Sequence, residues 1–265
     1  MPIFILASGQ RCGSTLVQRL LCSHPEITIW GEHNGILEGL AAGWRSFSDW
    51  EKRHSHHLDV YLREGHNNFI ANMSPSPSHF VKATRDFAQE LWASPALDMG
   101  SQIWGFKEVR YDRTIAEMLR LAMPDTMVIH VTRSITDCIK SLLHWERGGG
   151  WNNTDTQHFI DKWITINESF FDSEEDDFRW IFHTSLEELV NRPEATVRQL
   201  CEFLGVQQSD LDASVFDKKI FTDGYIGPDN RPVIQNDMIP EEYMVRIRSR
   251  RVERLHQRFG LPYHS

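Results

Sequence analysis

Six apolar residues, PIFILA at 2–7, open the chain and give way at once to Ser8, Gly9 and Gln10, the pattern of a buried strand running into a loop. From Ser14 the apolar period changes: Leu16, Val17, Leu20 and Leu21 recur at helical spacing, Pro25 closes the helix region, and ITIW at 27–30 reads as a second short strand. Regularity fades between 31 and 100, where helical fragments are expected near 35–45 and 79–92 and SPSPS at 74–78 marks a turn. It returns with a strand at 102–107, a helix over 114–122 stopped by Pro124, and TMVIHVT at 126–132, the clearest central strand. A helix over 135–146 ends before the triple glycine at 148–150; a long helix over 158–171, an acidic run and a strand at 179–182 follow. LEELV and PEATVRQLCEFLG supply two more helices, the second with Pro193 near its start and Gly205 at its end, and the tail reads as one amphipathic helix over 241–259. Strands alternating with helices predict an α/β three-layer sandwich around a mostly parallel sheet. The expected organisation is a single domain over 1–265, with a polar insertion at about 33–100 forming an acceptor site or a lid.

Composition changes this picture little. Hydrophobic residues make up 40% and charged residues 25% of the 265, an ordinary balance for a chain able to bury its own core. The formal net charge of -9 repels polyanions, which argues against nucleic acid as a partner. No apolar run reaches the length of a membrane span, and the amino terminus lacks the basic start and long apolar segment of a signal peptide. Cysteines 12, 22, 138 and 201 form no CxxC pair, so free thiols in a reducing, cytoplasmic setting are expected. His54, His56 and His57 cluster in a polar stretch without a cysteine or periodic partner, which favours a solvated loop over a metal site. No metal is expected.

The sharpest chemical signal is SGQRCGST, Ser8 to Thr15. A Walker A loop wants glycine at position 8 and lysine at position 14, and this chain has Ser8 and Ser14. What remains still suits phosphate: Arg11 as the cation, Cys12 and Gly13 in the loop, Gly13 for close backbone approach, and the hydroxyls of Ser14 and Thr15 at a helix start. The competing reading is a plain strand-to-helix turn. The second signal follows the central strand, where Arg133 begins the turn and Ser141 comes eight residues, about two helical turns, later. Both reach one phosphate if a ligand lies across the carboxyl edge of the sheet; otherwise Arg133 pairs with Asp137 and Ser141 is an exposed helix hydroxyl.

Together these segments resemble the sulfotransferases that use 3'-phosphoadenosine 5'-phosphosulfate (PAPS) and have a P-loop-like fold. GQRCGSTL matches the loop that grips the 5'-phosphosulfate, RSITDCIKS matches the arginine-to-serine pair on the 3'-phosphate, and HTSLEELVNRPEATVRQLCEFLGV is similar to the late "Y-E-D-L, proline, helix, F-L-G" region. The likeness covers most of 1–35 and 101–206. Gln10 departs from the family's proline, and the glycine- and lysine-rich late loop of the phenol and steroid enzymes is absent, so the chain resembles the carbohydrate, tyrosyl-protein and bacterial branches more closely. The resemblance implies PAPS as donor, no metal, and a hydroxyl-bearing small molecule or carbohydrate as acceptor. Trp44, Trp50 and Trp92, beside histidines and asparagines, also suit polyols.

By the same resemblance Glu32, in IWGEHN, is the expected base; His33 is its competitor because imidazole suits neutral pH without adjustment. Lys107, in WGFKEVRY, is read either as a sulfonate contact or as a salt-bridge partner of Glu108 or another carboxylate, with Arg110 as companion. Ser185 either touches the 3'-phosphate region or caps a helix, since Glu188 falls three residues later. Trp145 and Trp163 are possible adenine-stacking residues or core. The rival functions are an ATP-dependent small-molecule kinase and a noncatalytic nucleotide-binding protein of the same fold. The kinase would want an acidic residue for magnesium at the end of a core strand, where VIHVTR ends in a base.

Overall fold

The computed structural model describes residues 1–147, 155–171, 179–220, 226–227 and 239–263. Five strands form one all-parallel sheet: β1 (Pro2–Ala7), β2 (Ile27–Trp30), β3 (Ile103–Glu108), β4 (Met127–Thr132) and β5 (Ile181–Ser185), in the spatial order β2-β3-β1-β4-β5. Every residue of β1 is buried, as a strand covered on both faces requires. Side-chain alternation then divides the interior. Ile3, Ile5, Ile129 and Val131 face a core shared with α1 (Ser14–Cys22), α7 (Ile135–Arg147), α8 (Thr156–Ser169), α10 (Pro193–Leu204) and α12 (Arg250–Arg258). Phe4, Leu6, Phe106 and Val128 face a second core with α2 (Ile36–His54), α4 (Pro77–Ala88) and α6 (Arg113–Ala122). Gly105 sits where a Cβ would run into the Ile3 carbonyl, so glycine there lets β3 lie against β1.

The expected α/β architecture is therefore present, with three differences in detail. Residues 36–98 are mostly helical rather than irregular: α2 runs to His54, α3 spans His56–Glu64, and α4 passes through a π-helical turn, Gln89–Ala93, into α5 (Ser94–Asp98). The histidine cluster thus lies at a helix junction instead of a loop, with Asn72 bonded to the His54 ring. α2 shows only Leu37 and Ala41 buried, too sparse an apolar stripe for the periodicity to announce its full length. The tail helix is two helices, α11 (Glu241–Ile247) and α12, because the Ser249 hydroxyl accepts from the Val252 amide and starts a new helix where the sequence had suggested continuity. Strand β5 begins two residues later than expected and runs to Ser185, which caps α9 (Leu186–Asn191). A two-stranded ribbon, β6 (Lys219–Ile220) with β7 (Ile226–Gly227), lies apart from the main sheet. The triple glycine and the acidic run 174–177 lie outside the described residues. Among the described residues no helix is long and apolar enough to cross a membrane.

Strand order places the site. From the central β1 the chain leaves through α1 toward β2 on one side, whereas from the adjacent β4 it leaves through α7 and α8 toward β5 on the other. The connections leave these two neighbouring strands in opposite directions, so the carboxyl edge between β1 and β4 is the topological switch point, the expected ligand position in an open α/β sheet.

Candidate active site

The loop after β1 is held from beneath. The Ser8 amide donates to the Val131 carbonyl (3.0 Å) and its hydroxyl to Thr132 Oγ1 (3.0 Å), fixing the loop to the end of β4. Two residues with left-handed backbone follow, Arg11 at φ 65° and Gly13 at φ 89°. Gly13 tolerates this conformation and leaves no room for more: a Cβ would lie 2.7 Å from Leu186 Cδ1. For arginine the conformation is strained, and such residues gather at ligand-binding loops. Helix α1 starts at Ser14 without a side-chain cap, and the Leu16 amide turns back to the Gly13 carbonyl (2.9 Å), which leaves the amides of Ser14 and Thr15 at the helix start for a ligand.

The second segment meets the first directly. Arg11 Nε donates to Ser141 Oγ at 3.0 Å, and Arg133 Nη1 donates to the Arg11 carbonyl at 3.1 Å. Residues 130 and 122 positions apart in sequence thus share one cluster at the β1–β4 edge. Crowding by protein, and then the like charge of Arg133, lower the Arg11 pKa from its ordinary value. Ser134 and Thr136 carry buried hydroxyls beside Arg133 with no partner among the described residues.

A second charged cluster forms at the ends of β2 and β3. Glu32 lies just past β2, and Lys107 Nζ reaches its Oε1 at 2.5 Å while Arg110 Nη1 reaches its Oε2 at 3.1 Å. Lys107 is buried and Glu32 stays accessible. Behind them Glu108, with no exposed surface, accepts from the amides of His33 (3.3 Å), Gly35 (3.0 Å) and Val109 (2.8 Å) and from Arg110 Nη1 (2.5 Å). Burial opposes its charge, yet the amides and Arg110 outweigh burial and lower its pKa. His33 turns inward: its Nε2 lies 2.7 Å from the Tyr111 hydroxyl and its ring packs on Trp92 and Phe106, a burial that lowers its pKa. The Tyr111 hydroxyl also accepts from the Leu37 amide (2.8 Å), and burial raises its pKa.

A model of the sulfotransferase family matches residues 2–210, which include both clusters. The chain belongs to the sulfotransferase family. No curated protein matches it. Among solved structures it is similar to a sulfotransferase from Alicyclobacillus acidocaldarius (15% identity, 99% of this chain and 97% of that one, TM-score 0.49). It is also similar to the sulfotransferase domain of the Synechococcus PCC 7002 olefin synthase (15% identity, 92% and 82%, TM-score 0.48) and to the sulfotransferase domain from the curacin biosynthetic pathway (16% identity, 82% and 77%, TM-score 0.48).

Within this sulfotransferase-family chain the structure brings Arg11, Cys12, Gly13, Ser14, Thr15, Arg133 and Ser141 to one edge of the sheet, and Glu32 and Lys107 to one ion pair. Lys107 forms a salt bridge, with Glu32 rather than Glu108 as partner. Ser185 forms the capping box foreseen as its alternative, accepting from the Glu188 amide (3.1 Å) while the Glu188 carboxylate accepts from the Ser185 amide (3.3 Å). Trp163 is core, its indole donating to the Arg133 carbonyl (3.1 Å); the Trp145 side chain lies outside the described residues. Sequence reasoning overlooked Glu108 as an organiser and Tyr111 altogether. A charged pair, Lys107–Glu108, closing an apolar strand was the available signal for the first, and nothing marked the second.

Proposed function

We propose that the chain transfers a sulfuryl group from PAPS to a hydroxyl of a small-molecule or carbohydrate acceptor, without a metal. The observation that carries this reading is the convergence of Arg11, Arg133 and Ser141 at the β1–β4 edge. Two guanidinium groups side by side repel one another, and a multiply charged anion between them offsets that repulsion. The start of α1 adds donors for the same anion. Arg11 and the loop amides hold the phosphate that departs, and Arg133 with Ser141 hold the 3'-phosphate. PAPS supplies the activated sulfuryl group.

Glu32 takes the acceptor proton. Lys107 and Arg110 hold both of its oxygens, which aligns the carboxylate at the mouth of the site. Lys107 is also placed to follow negative charge developing on the sulfonate, so its pairing with Glu32 orders base and electrophile together. His33, committed to Tyr111 and its aromatic shell, serves as a wall of the Glu32 loop in this reading. Arginine at the end of β4 disfavours the kinase alternative, which needs a metal-binding carboxylate there. A reducing, cytoplasmic setting suits the free cysteines.

Calorimetric titration with adenosine 3',5'-bisphosphate, with ADP and ATP run in parallel with and without magnesium, tests the proposal. Tight, magnesium-independent binding of the bisphosphate is expected, and preference for magnesium-ATP would sink it.

A further inference from the structure

Two cysteines meet beneath the Arg11–Ser141 cluster. Cys12 Sγ, in the loop after β1, lies 3.6 Å from Cys138 Sγ, on the first turn of α7, and both are fully buried. Cys12 sits between Arg11 and Gly13, and Cys138 sits one turn before Ser141, so the sulfurs join the same two segments as the Arg11–Ser141 bond. Ser8 Oγ lies 3.4 Å from Cys12 Sγ on its other side. Burial opposes ionisation of Cys12, but hydrogen bonds with Cys138 and Ser8 and the positive Arg133 more than offset it, and the thiol is lowered from its ordinary value. Burial raises Cys138 on its anchored helix, whereas Cys12 lies in the loop next to exposed Arg11, so Cys12 is the sulfur an oxidant meets first.

We propose that Cys12 and Cys138 are a redox modification site: they form a reversible disulfide that ties the phosphate loop to α7 and closes the site to its anion. The binding consequence rests on the donor reading above; the sulfur chemistry does not. With a peroxide as oxidant, the Cys12 thiolate attacks one oxygen, the O–O bond breaks, and Cys12 becomes a sulfenic acid as water leaves. Cys138 then attacks that sulfur, its proton leaves with the hydroxyl as a second water, and the S–S bond forms. Two thiols are oxidised by two electrons, the peroxide is reduced to two waters, and a dithiol reverses the step.

Bond formation brings the sulfurs from 3.6 Å to about 2.05 Å. Helix α7 is anchored by Ile135, Ile139 and Leu142 in the core, so the loop does the moving. Cys12 gives up its Ser8 contact and pulls on its neighbours, Arg11 and Gly13, whose left-handed backbone sets the cradle. Only the loop needs to lift for a small oxidant to enter, because its outer residues Arg11 and Thr15 are already exposed. By reciprocity, a ligand that holds the loop in place protects the thiols.

The test treats the full chain with hydrogen peroxide and maps it by mass spectrometry under non-reducing conditions, while calorimetry follows adenosine 3',5'-bisphosphate. Expected are a loss of two hydrogens, a peptide joining Cys12 to Cys138, loss of bisphosphate binding that dithiothreitol restores, and slower linkage when the bisphosphate is present. Cys138→Ala is expected to yield no joined peptide and to stop at the Cys12 sulfenic acid, one oxygen heavier and trapped by a dimedone tag. The proposal is overturned by absence of the joined peptide, by linkage that leaves affinity unchanged, or by Cys138→Ala gaining its oxygen elsewhere than at Cys12. Should the reduced parent bind no bisphosphate at all, the donor reading falls, and the joined peptide still decides whether the sulfur site exists.

Discussion

Gly13 illustrates how much one residue decides. Its φ of 89° and the Leu186 side chain leave space for a hydrogen and nothing larger. Gly13→Ala is expected to lower stability by about 1–3 kcal/mol, read as a shift in the urea midpoint, and to weaken bisphosphate binding because the loop amides turn away. Glu32, proposed as the base, lies on the accessible side of its ion pairs with Lys107 and Arg110. Glu32→Gln is expected to reduce kcat by about 100-fold or more while calorimetric affinity for the bisphosphate stays at the parent value. If both fell together, Glu32 would belong to the donor site instead.

At the scale of elements, Glu108 holds the end of β3 to the segment after β2. Its carboxylate gathers the amides of His33, Gly35 and Val109 with Arg110, and so fixes the loop that carries Glu32. Glu108→Gln retains the volume but weakens charge-assisted bonds, for an expected loss of about 1–3 kcal/mol. The pH dependence has a definite sign. Because the folded-state pKa of Glu108 is lowered, its contribution is complete above the unfolded value of about 4.3 and is lost as pH falls through the folded value. The gap in thermal midpoint between parent and Glu108→Gln should therefore be widest at neutral pH and close in acid; a gap unchanged down to pH 3 would contradict the assignment.

Across the whole molecule, buried His130 and half-buried His183 tie the sheet to the carboxyl-terminal arm. His130 Nδ1 on β4 lies 3.1 Å from His183 Nδ1 on β5, and the His130 ring stacks on Phe170 (4.3 Å) beside Phe259. Burial, and then the proximity of His183, push His130 well below the ordinary histidine value. The unfolded chain therefore binds the proton first, so stability present above about pH 6.5 declines as pH falls below it. Thermal midpoints measured from pH 8 to 5 should show this decline. His130→Phe, which keeps the ring packing, should flatten it, and an equally steep profile in the variant would place the acid sensitivity elsewhere.

The apolar pattern by itself determined the strand–loop–helix opening, the central strands and the α/β class, because strands buried on both faces write continuous apolar runs into the chain. Local spacing likewise singled out Arg11, Arg133 and Ser141 as candidates, since a strand-to-helix loop and a helix start are short-range features, and the structure brings the three together. The two-helix tail and the helical character of 36–98 were illegible for a related reason: a serine cap and a thin apolar stripe barely perturb the periodicity. Strand order, however, is a property of the assembled sheet, and only that order set the β1 and β4 loops side by side. The Glu32–Lys107 pair, the Glu108 hub and the Cys12–Cys138 contact join residues 75, 73 and 126 positions apart. Tertiary structure decided them because burial and pairing of charge and sulfur depend on which strands become neighbours, information that local sequence does not carry.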